Sequence, residues 1–184
     1  TTQGDVPIHY TLDGSEPTAA SPRYTGPVEI GKSARFRATA LREGGENASY
    51  SREFAFSKST GRPAVLNTKP NDSYTFEGAS LLVDGYHSRP VFTSGAWLGY
   101  LDEPLDVTID MGGEQSYRSV ELETLAEKGD WIFPPSSVTV WVSDNGTDFT
   151  EVASVAVPEA KAGDADGIGR YRMQFPETSA RYLK

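Results

Sequence analysis

The sequence of 184 residues predicts an all-β fold organised as two small modules. Apolar and polar residues alternate over many short runs, which is the period of a strand that buries one face. Turn-forming residues separate these runs, and the chain contains 18 glycines and 12 prolines. No segment repeats apolar residues with the period of a helix. A chain of this length can hold one large domain or two small ones, and the pattern favours two.

The first module, residues 1–58, is expected to be an immunoglobulin-like β-sandwich. Strand-like alternation is found at residues 8–12, 28–30, 34–40 and 54–56. In the third of these runs, alanine and phenylalanine alternate with Arg35, Arg37 and Thr39. Asp13 and Gly14 predict a tight turn after the first run, because glycine adopts positive φ and aspartate bonds its own backbone.

The second module, residues 59–184, is expected to be a second β-sandwich or a jelly roll. It follows a small polar run at residues 57–61, which is typical of a module boundary. Asp144, Asn145 and Gly146 form a strong hairpin signal. Three longer segments, residues 85–103, 126–136 and 158–167, are expected to be loops where binding groups lie. Strands are predicted at residues 81–83, 105–111, 117–122, 138–142, 149–155 and 171–175.

The charge is unevenly distributed and restricts the expected partners. Residues 1–58 hold equal numbers of basic and acidic side chains, so the net charge of −9 falls on residues 59–184. Nucleic acids and acidic membranes would be repelled by such a module. The chain has no cysteine, which excludes thiolate zinc sites, and no apolar run long enough to predict membrane insertion. We expect an uncharged partner or a cation.

No catalytic site is predicted in this chain. Its carboxylate pairs, Asp102 with Glu103 and Asp164 with Asp166, have no basic partner in the sequence pattern and are expected to be solvated loop acids. His9 and His87 are the only histidines, with neither metal-ligand spacing nor a paired nucleophile. We therefore expect a module that binds or spaces rather than an enzyme.

Two runs of motifs resemble known families. Residues 6–58, with YTLDGSEPT at 10–18 and SPRYTGP at 21–27, resemble the C-terminal domain of chitobiases and β-hexosaminidases. Residues 62–184 resemble a coagulation factor V/VIII type C module, a discoidin-like (galactose-binding-like) class that includes carbohydrate-binding module family 32. The motifs that carry this second resemblance are LVDG at 82–85, WLGY at 97–100, IDMG at 109–112, WIFP at 131–134 and VSDNG at 142–146.

The order of the modules is similar to the non-catalytic tail of secreted bacterial glycoside hydrolases of family 20. Those enzymes remove terminal N-acetylhexosamine on a (β/α)₈ barrel, which this sequence does not contain. The resemblance implies an accessory region of a β-N-acetylhexosaminidase, secreted or periplasmic, with the catalytic domain upstream in the same polypeptide. It also implies that the discoidin-like module lacks its last strand, so we expect the chain to be a fragment.

The resemblance and the aromatic content of the loops predict a shallow sugar site. Aromatic rings pack against the apolar face of a pyranose, and polar side chains fix its hydroxyl groups. The expected ligand is a glycan containing N-acetylhexosamine or galactose. Trp97 is expected to be structural, and Trp141 to mark an interface. The predicted contacts are Tyr86, His87, Arg89, Tyr100, Trp131 and Phe133.

Other interpretations of the sequence remain open at this point. The resemblance places Asp84 where relatives bind Ca²⁺, although an Asp-Gly turn without metal explains the same residues. Both modules could instead be structural buttresses without a ligand. An adhesion module for proteins or lipids is the third alternative, and the acidic charge argues against its lipid form.

Overall fold

The computed structural model describes residues 6–42, 44–161 and 163–184. The chain divides into two compact units. The first comprises Thr1–Ser57 together with Gly85–His87, and the second comprises Lys58–Asp84 and Ser88–Lys184. The first five residues of the first predicted module lie outside the described residues.

The first unit contains one antiparallel sheet of three strands. These are β1 (Ile8–Thr11), β2 (Ala34–Ala40) and β3 (Ala48–Phe54), with β2 in the centre. Tyr10, Phe36 and Tyr50 lie on one face, where the Tyr10 and Phe36 rings stack with centroids 5.9 Å apart. On the other face, Thr39 is buried and donates a hydrogen bond to Glu16 Oε1 at 3.1 Å.

The turn predicted at Asp13 and Gly14 is confirmed. Gly14 has φ +84°, and Asp13 Oδ1 accepts hydrogen bonds from the Ser15 amide at 2.9 Å and the Ser15 hydroxyl at 2.6 Å. Those bonds hold the pKa of Asp13 below its ordinary value. The same turn brings Glu16 to Arg37, with which it forms an ion pair.

The second unit contains one antiparallel sheet in the order β4-β5-β8-β6-β7. The unit also has four short 3₁₀ turns, at Asp72–Tyr74, Gly78–Leu82, Phe92–Ser94 and Lys128–Asp130. The hairpin predicted at Asn145-Gly146 is confirmed between β6 and β7. The five strands are β4 (Ala64–Leu66), β5 (Val107–Ala126), β6 (Ser137–Ser143), β7 (Thr150–Ala156) and β8 (Gly167–Leu183).

Two long paired strands carry the core of the second unit. Met111 on β5 is only 1% exposed, and Tyr117 donates from its buried hydroxyl to the Ala180 carbonyl at 2.9 Å. The remaining core side chains lie on β6 and β8, namely Val140, Val142, Met173, Ala180 and Leu183. This arrangement confirms the prediction of an all-β fold built from antiparallel sheets, as in β-sandwiches.

Two predicted strands are wrong. Val28 and Ile30 lie in irregular chain, because their alternation buries one side of the segment without a hydrogen-bonded partner strand. The apolar run Leu81–Val83 belongs to the 3₁₀ turn Gly78–Leu82 and its end, and so short a run does not distinguish strand from helix.

The two longest strands extend beyond the segments predicted for them. The segments predicted at residues 105–111 and 117–122 are one 20-residue strand, β5, because the glycines between them form an irregularity within the ladder rather than a break. Similarly, the strand predicted at residues 171–175 extends from Gly167 to Leu183.

Candidate functional site

The loop after β5 is closed at its base by backbone hydrogen bonds. The Glu127 amide donates to the Ile132 carbonyl at 3.0 Å, and the Ile132 amide donates back at 3.1 Å. Between them, Lys128–Asp130 forms a 3₁₀ turn that ends at Trp131, which has φ +60°. A left-handed conformation is costly for a bulky residue and persists where the surrounding structure imposes it. The loop therefore holds Trp131 in a defined position.

Trp131 and Phe133 present an exposed aromatic pair. The Trp131 side chain is 83% exposed and Phe133 is 53% exposed. Their ring centroids lie 6.4 Å apart at an angle of 76°, an edge-to-face arrangement. Tryptophan is normally well buried. An exposure this large on a closed loop therefore indicates a contact surface. We call this pair and its loop, Glu127–Phe133, the aromatic loop.

An ion pair ties the aromatic loop to the segment before β8. Lys128 Nζ lies 2.5 Å from Asp166 Oδ1 and 2.8 Å from the Asp164 carbonyl oxygen, and its side chain is only 17% exposed. The Lys128 amide donates to the same Asp166 oxygen at 3.2 Å. These hydrogen bonds lower the pKa of Asp166. The prediction that this acidic pair has no basic partner is therefore wrong, because the loop folds Lys128 over it.

A groove of about 370 Å³ lies beside the aromatic loop. The end of β5 and the start of β8 form its floor, with Thr124 and Tyr171 among its polar groups. Lys128, within the aromatic loop, and Pro134, the residue after it, also line the groove. The Thr124 hydroxyl is buried and has no hydrogen-bond partner in the described part of the chain. A groove of this size falls in the range of small-molecule sites.

Tyr86 and His87 belong to the first unit. The Tyr86 ring lies 5.0 Å from that of Phe54, and the Arg52 guanidinium lies over it at 3.6 Å. Tyr86 also forms an isolated bridge with Phe54. One face of this ring is therefore covered by Arg52, and Tyr86 packs within the first unit.

Arg89 and Tyr100 belong to the second unit. The Arg89 carbonyl accepts a hydrogen bond from the Trp97 indole at 2.9 Å, which gives Trp97 a structural role in this loop. The Tyr100 hydroxyl is buried, and burial raises its pKa, with the charge of Asp106 adding to the shift. Of the six predicted contacts, the structure brings Trp131 and Phe133 together as an exposed pair.

The sequence predicts Asp84 as a calcium ligand. Ca²⁺ takes about six to eight oxygen ligands, usually including several carboxylates. Across residues 6–42, 44–161 and 163–184, no three His, Asp or Glu side chains gather as metal ligands. The Val83 carbonyl next to Asp84 accepts a hydrogen bond from Gly61, and Asp84 itself interacts within the chain. The calcium role of Asp84 stays a prediction.

Sequence patterns missed Lys128, Thr124, Asp166 and Tyr171. Tyr171 falls in a predicted strand, Lys128 and Asp166 fall in predicted loops, and Thr124 falls between a predicted strand and a loop. Their proximity depends on the pairing of β5 with β8. In that ladder Thr124 pairs with Gly169, two residues from Tyr171. One sequence feature pointed to this region. The two segments predicted as long loops, residues 126–136 and 158–167, flank the two strands of this ladder.

Comparison with protein families links the first third of the chain to one model. Residues 1–54 match a family described as Fn3 associated, which is associated with fibronectin-type β-sandwich modules. No curated protein matches the chain. The described part of the chain contains no helix with the length and hydropathy needed to span a membrane.

Proposed function

We propose that this chain is a non-catalytic accessory region that binds an uncharged glycan through the aromatic loop of its second unit. The observation that carries the proposal is the exposure of Trp131 beside Phe133 on a loop closed by its own backbone. Exposed aromatic rings on rigid loops bind the apolar faces of sugar rings. The ligand class is glycan containing N-acetylhexosamine or galactose.

We propose that the first unit acts as a spacer. Its match to an Fn3-associated family and its short sheet support a module that positions a neighbour. With the motifs at residues 10–27, this is consistent with the C-terminal domain of a chitobiase or β-hexosaminidase. The second unit would then be a discoidin-like module of the same secreted or periplasmic family 20 glycosidase, and binding would raise the effective concentration of glycan near its catalytic domain.

Isothermal titration calorimetry tests the glycan claim. The titrants are N-acetylglucosamine, galactose and chitooligosaccharides at about 10 mM, since single weak sites commonly bind in the millimolar range. Wild-type protein is expected to bind at least one of them, and Trp131→Ala to lose about tenfold or more in affinity. Val65→Ala is the matched control. Val65 is 62% exposed on β4, so this substitution removes exposed apolar surface away from the aromatic loop.

A variant that keeps an aromatic ring at residue 131 separates loss of sugar contact from loss of folding. Trp131→Phe is expected to keep most of the affinity lost in Trp131→Ala, and both variants should melt close to wild type because the side chain is 83% exposed. Absence of heat with every sugar overturns the proposal. Equal binding by wild type and Trp131→Ala places the ligand elsewhere and also overturns it.

A further inference from the structure

The groove beside the aromatic loop lies within reach of a ligand that contacts Trp131. Trp131 is three residues from both Lys128 and Pro134, which line the groove, so their Cα atoms lie within about 11 Å of its own. The groove offers a volume of about 370 Å³ in addition to the flat face of the Trp131 ring. A ligand longer than one ring that binds Trp131 would extend into this space.

Lys128 and Asp166 present one unused donor and one unused acceptor side by side. A lysine ammonium has three N–H groups, of which two are taken by Asp166 Oδ1 and the Asp164 carbonyl. The third has no partner among the described residues. Asp166 Oδ1 accepts from the Lys128 amide and ammonium, while Oδ2 has no partner in that same part of the chain. The pair has no net charge, and Asp164 adds one carboxylate to the lining of the groove.

The groove also has apolar lining residues. Pro134, Val157 and Ile168 line it, together with Ala126 and Pro158. A ligand that fits this lining therefore carries adjacent donor and acceptor groups as well as C–H groups. Pyranose rings have this distribution, because hydroxyl groups project from the ring edge and C–H groups from its faces.

We propose that the groove is a second sugar subsite, in which Lys128 and Asp166 hydrogen-bond to neighbouring polar groups of an uncharged saccharide. This inference rests on the proposed function and adds the length and charge of the ligand. An anionic sugar would repel Asp166, and a cationic one would compete with Lys128 for the same carboxylate. The site is therefore selective for neutral saccharides of at least two rings.

Affinity for one ring and for two rings separates the two subsites. Calorimetry compares N-acetylglucosamine with its β-1,4-linked dimer, and galactose with lactose. For wild-type protein the preferred disaccharide is expected to bind about tenfold more tightly than its monosaccharide, since hydrogen bonds to charged groups contribute strongly. Lys128→Met and Asp166→Asn are each expected to remove most of that gain, so that each variant lowers the affinity for the disaccharide more than the affinity for the monosaccharide.

Lys161→Met is the matched control, because Lys161 is an exposed lysine in the segment before β8 that also contains Asp166, and it does not line the groove. Thermal melting checks that each variant is folded, and the Met substitution retains the apolar stem of Lys128. If Lys128→Met destabilises the loop, the affinities for one ring and two rings are compared in Asp166→Asn, which keeps the size of the side chain and a hydrogen-bonding group.

The outcomes distinguish this inference from the proposed function. No binding of any sugar by wild type overturns both. A disaccharide that binds no better than its monosaccharide, or a gain that survives both variants, overturns the second subsite and leaves the role of Trp131 intact. An equal loss for one ring and two rings would place Lys128 in the first subsite, which also contradicts the inference. Tighter binding of glucuronic acid than of the neutral sugars would contradict the charge selectivity.

Discussion

At the scale of single residues, Asp110 links the two longest strands. Its carboxylate on β5 accepts two hydrogen bonds from Arg181 on β8, at 2.9 Å to Oδ1 and 2.8 Å to Oδ2. The Gly112 amide donates to Oδ1 at 2.8 Å. The Arg181 hydrogen bonds are the main cause that lowers the pKa of Asp110 to about 2, and the paired carboxylate raises the pKa of Arg181.

The lowered pKa predicts a loss of stability in acid. A carboxylate whose pKa is lower in the folded state contributes stability above its unfolded pKa, about 3.9, and loses it as pH falls through the folded pKa. The contribution of Asp110 should therefore be complete above about pH 5 and disappear between about pH 4 and pH 2. Asp110→Asn is expected to melt at a lower temperature than wild type at pH 7, with the difference shrinking towards pH 2.

Thermal melting from pH 2 to pH 7 measures this difference. Asp102→Asn is the control, since Asp102 lies exposed in a loop and should follow the wild-type curve. A difference between wild type and Asp110→Asn that stays constant across this pH range would show that ionisation of Asp110 does not support the pairing of β5 with β8.

At the scale of elements, the segment Gly85–His87 is held against β3. The Ala55 amide donates to the Gly85 carbonyl at 2.7 Å, and Tyr86 packs on Phe54. Tyr86→Ala is expected to lower the free energy of unfolding by about 1–3 kcal/mol, because it removes this aromatic contact and the Arg52 contact together. Tyr50→Ala changes an aromatic residue of β3 that is 50% exposed, and it should cost less than about 1 kcal/mol.

Denaturant unfolding followed by far-ultraviolet circular dichroism measures both variants. If Tyr86→Ala is as stable as wild type but binds sugar more weakly, Tyr86 is a ligand contact rather than a packing residue. That result would return it to the predicted sugar site and contradict its structural role.

The irregularity in β5 also depends on a particular glycine. The register with β8 shifts between Asp110 and Gln115, and Gly112 within this stretch has φ +79°. A Cβ at Gly112 would lie 3.1 Å from Arg62 Nη1, whereas a Cβ at Gly113 would meet nothing within 4 Å. Gly112→Ala should therefore destabilise the second unit by about 1–2 kcal/mol, while Gly113→Ala should be neutral or stabilise it by about 0.5 kcal/mol.

Chemical denaturation of these two variants gives the comparison directly. The pair is well matched, because the same methyl group is added at neighbouring positions of one strand. Equal stabilities would mean that β5 can take up a regular conformation at Gly112 without loss.

Strands were predictable where alternation and turn chemistry agreed. The hairpin at Asn145-Gly146 follows from local residues alone, and so does the alternation of Ala34–Ala40 in β2. Local pattern failed where a partner strand decided the outcome. Val28 and Ile30 have alternation but no partner, and β5 is continuous because β8 pairs along most of its length despite the glycines.

The candidate site was predictable only in its exposed part. Trp131 and Phe133 lie in a segment bounded by glycine and proline, which the sequence marks as a loop. Lys128 and Asp166 are separated by 38 residues and meet because β5 and β8 pair as antiparallel neighbours. Charge and residue type do not indicate the register between two strands. This ion pair therefore could not be predicted from the sequence.

At the scale of the whole molecule, charge and ligand chemistry predict how binding depends on salt. The second module carries the net charge of −9, and its candidate groove contains the Lys128–Asp166 ion pair beside the carboxylate of Asp164. A neutral saccharide displaces no counterions, so its dissociation constant should change less than about twofold between about 50 mM and 500 mM NaCl.

An adhesion role on anionic lipid would instead require binding that weakens steeply with salt. Calorimetry with the preferred sugar and sedimentation with phosphatidylserine vesicles measure the two cases. Salt-sensitive vesicle binding together with absent sugar binding would favour the adhesion alternative, because electrostatic attraction would then have to arise from local basic patches that overcome the overall acidic charge.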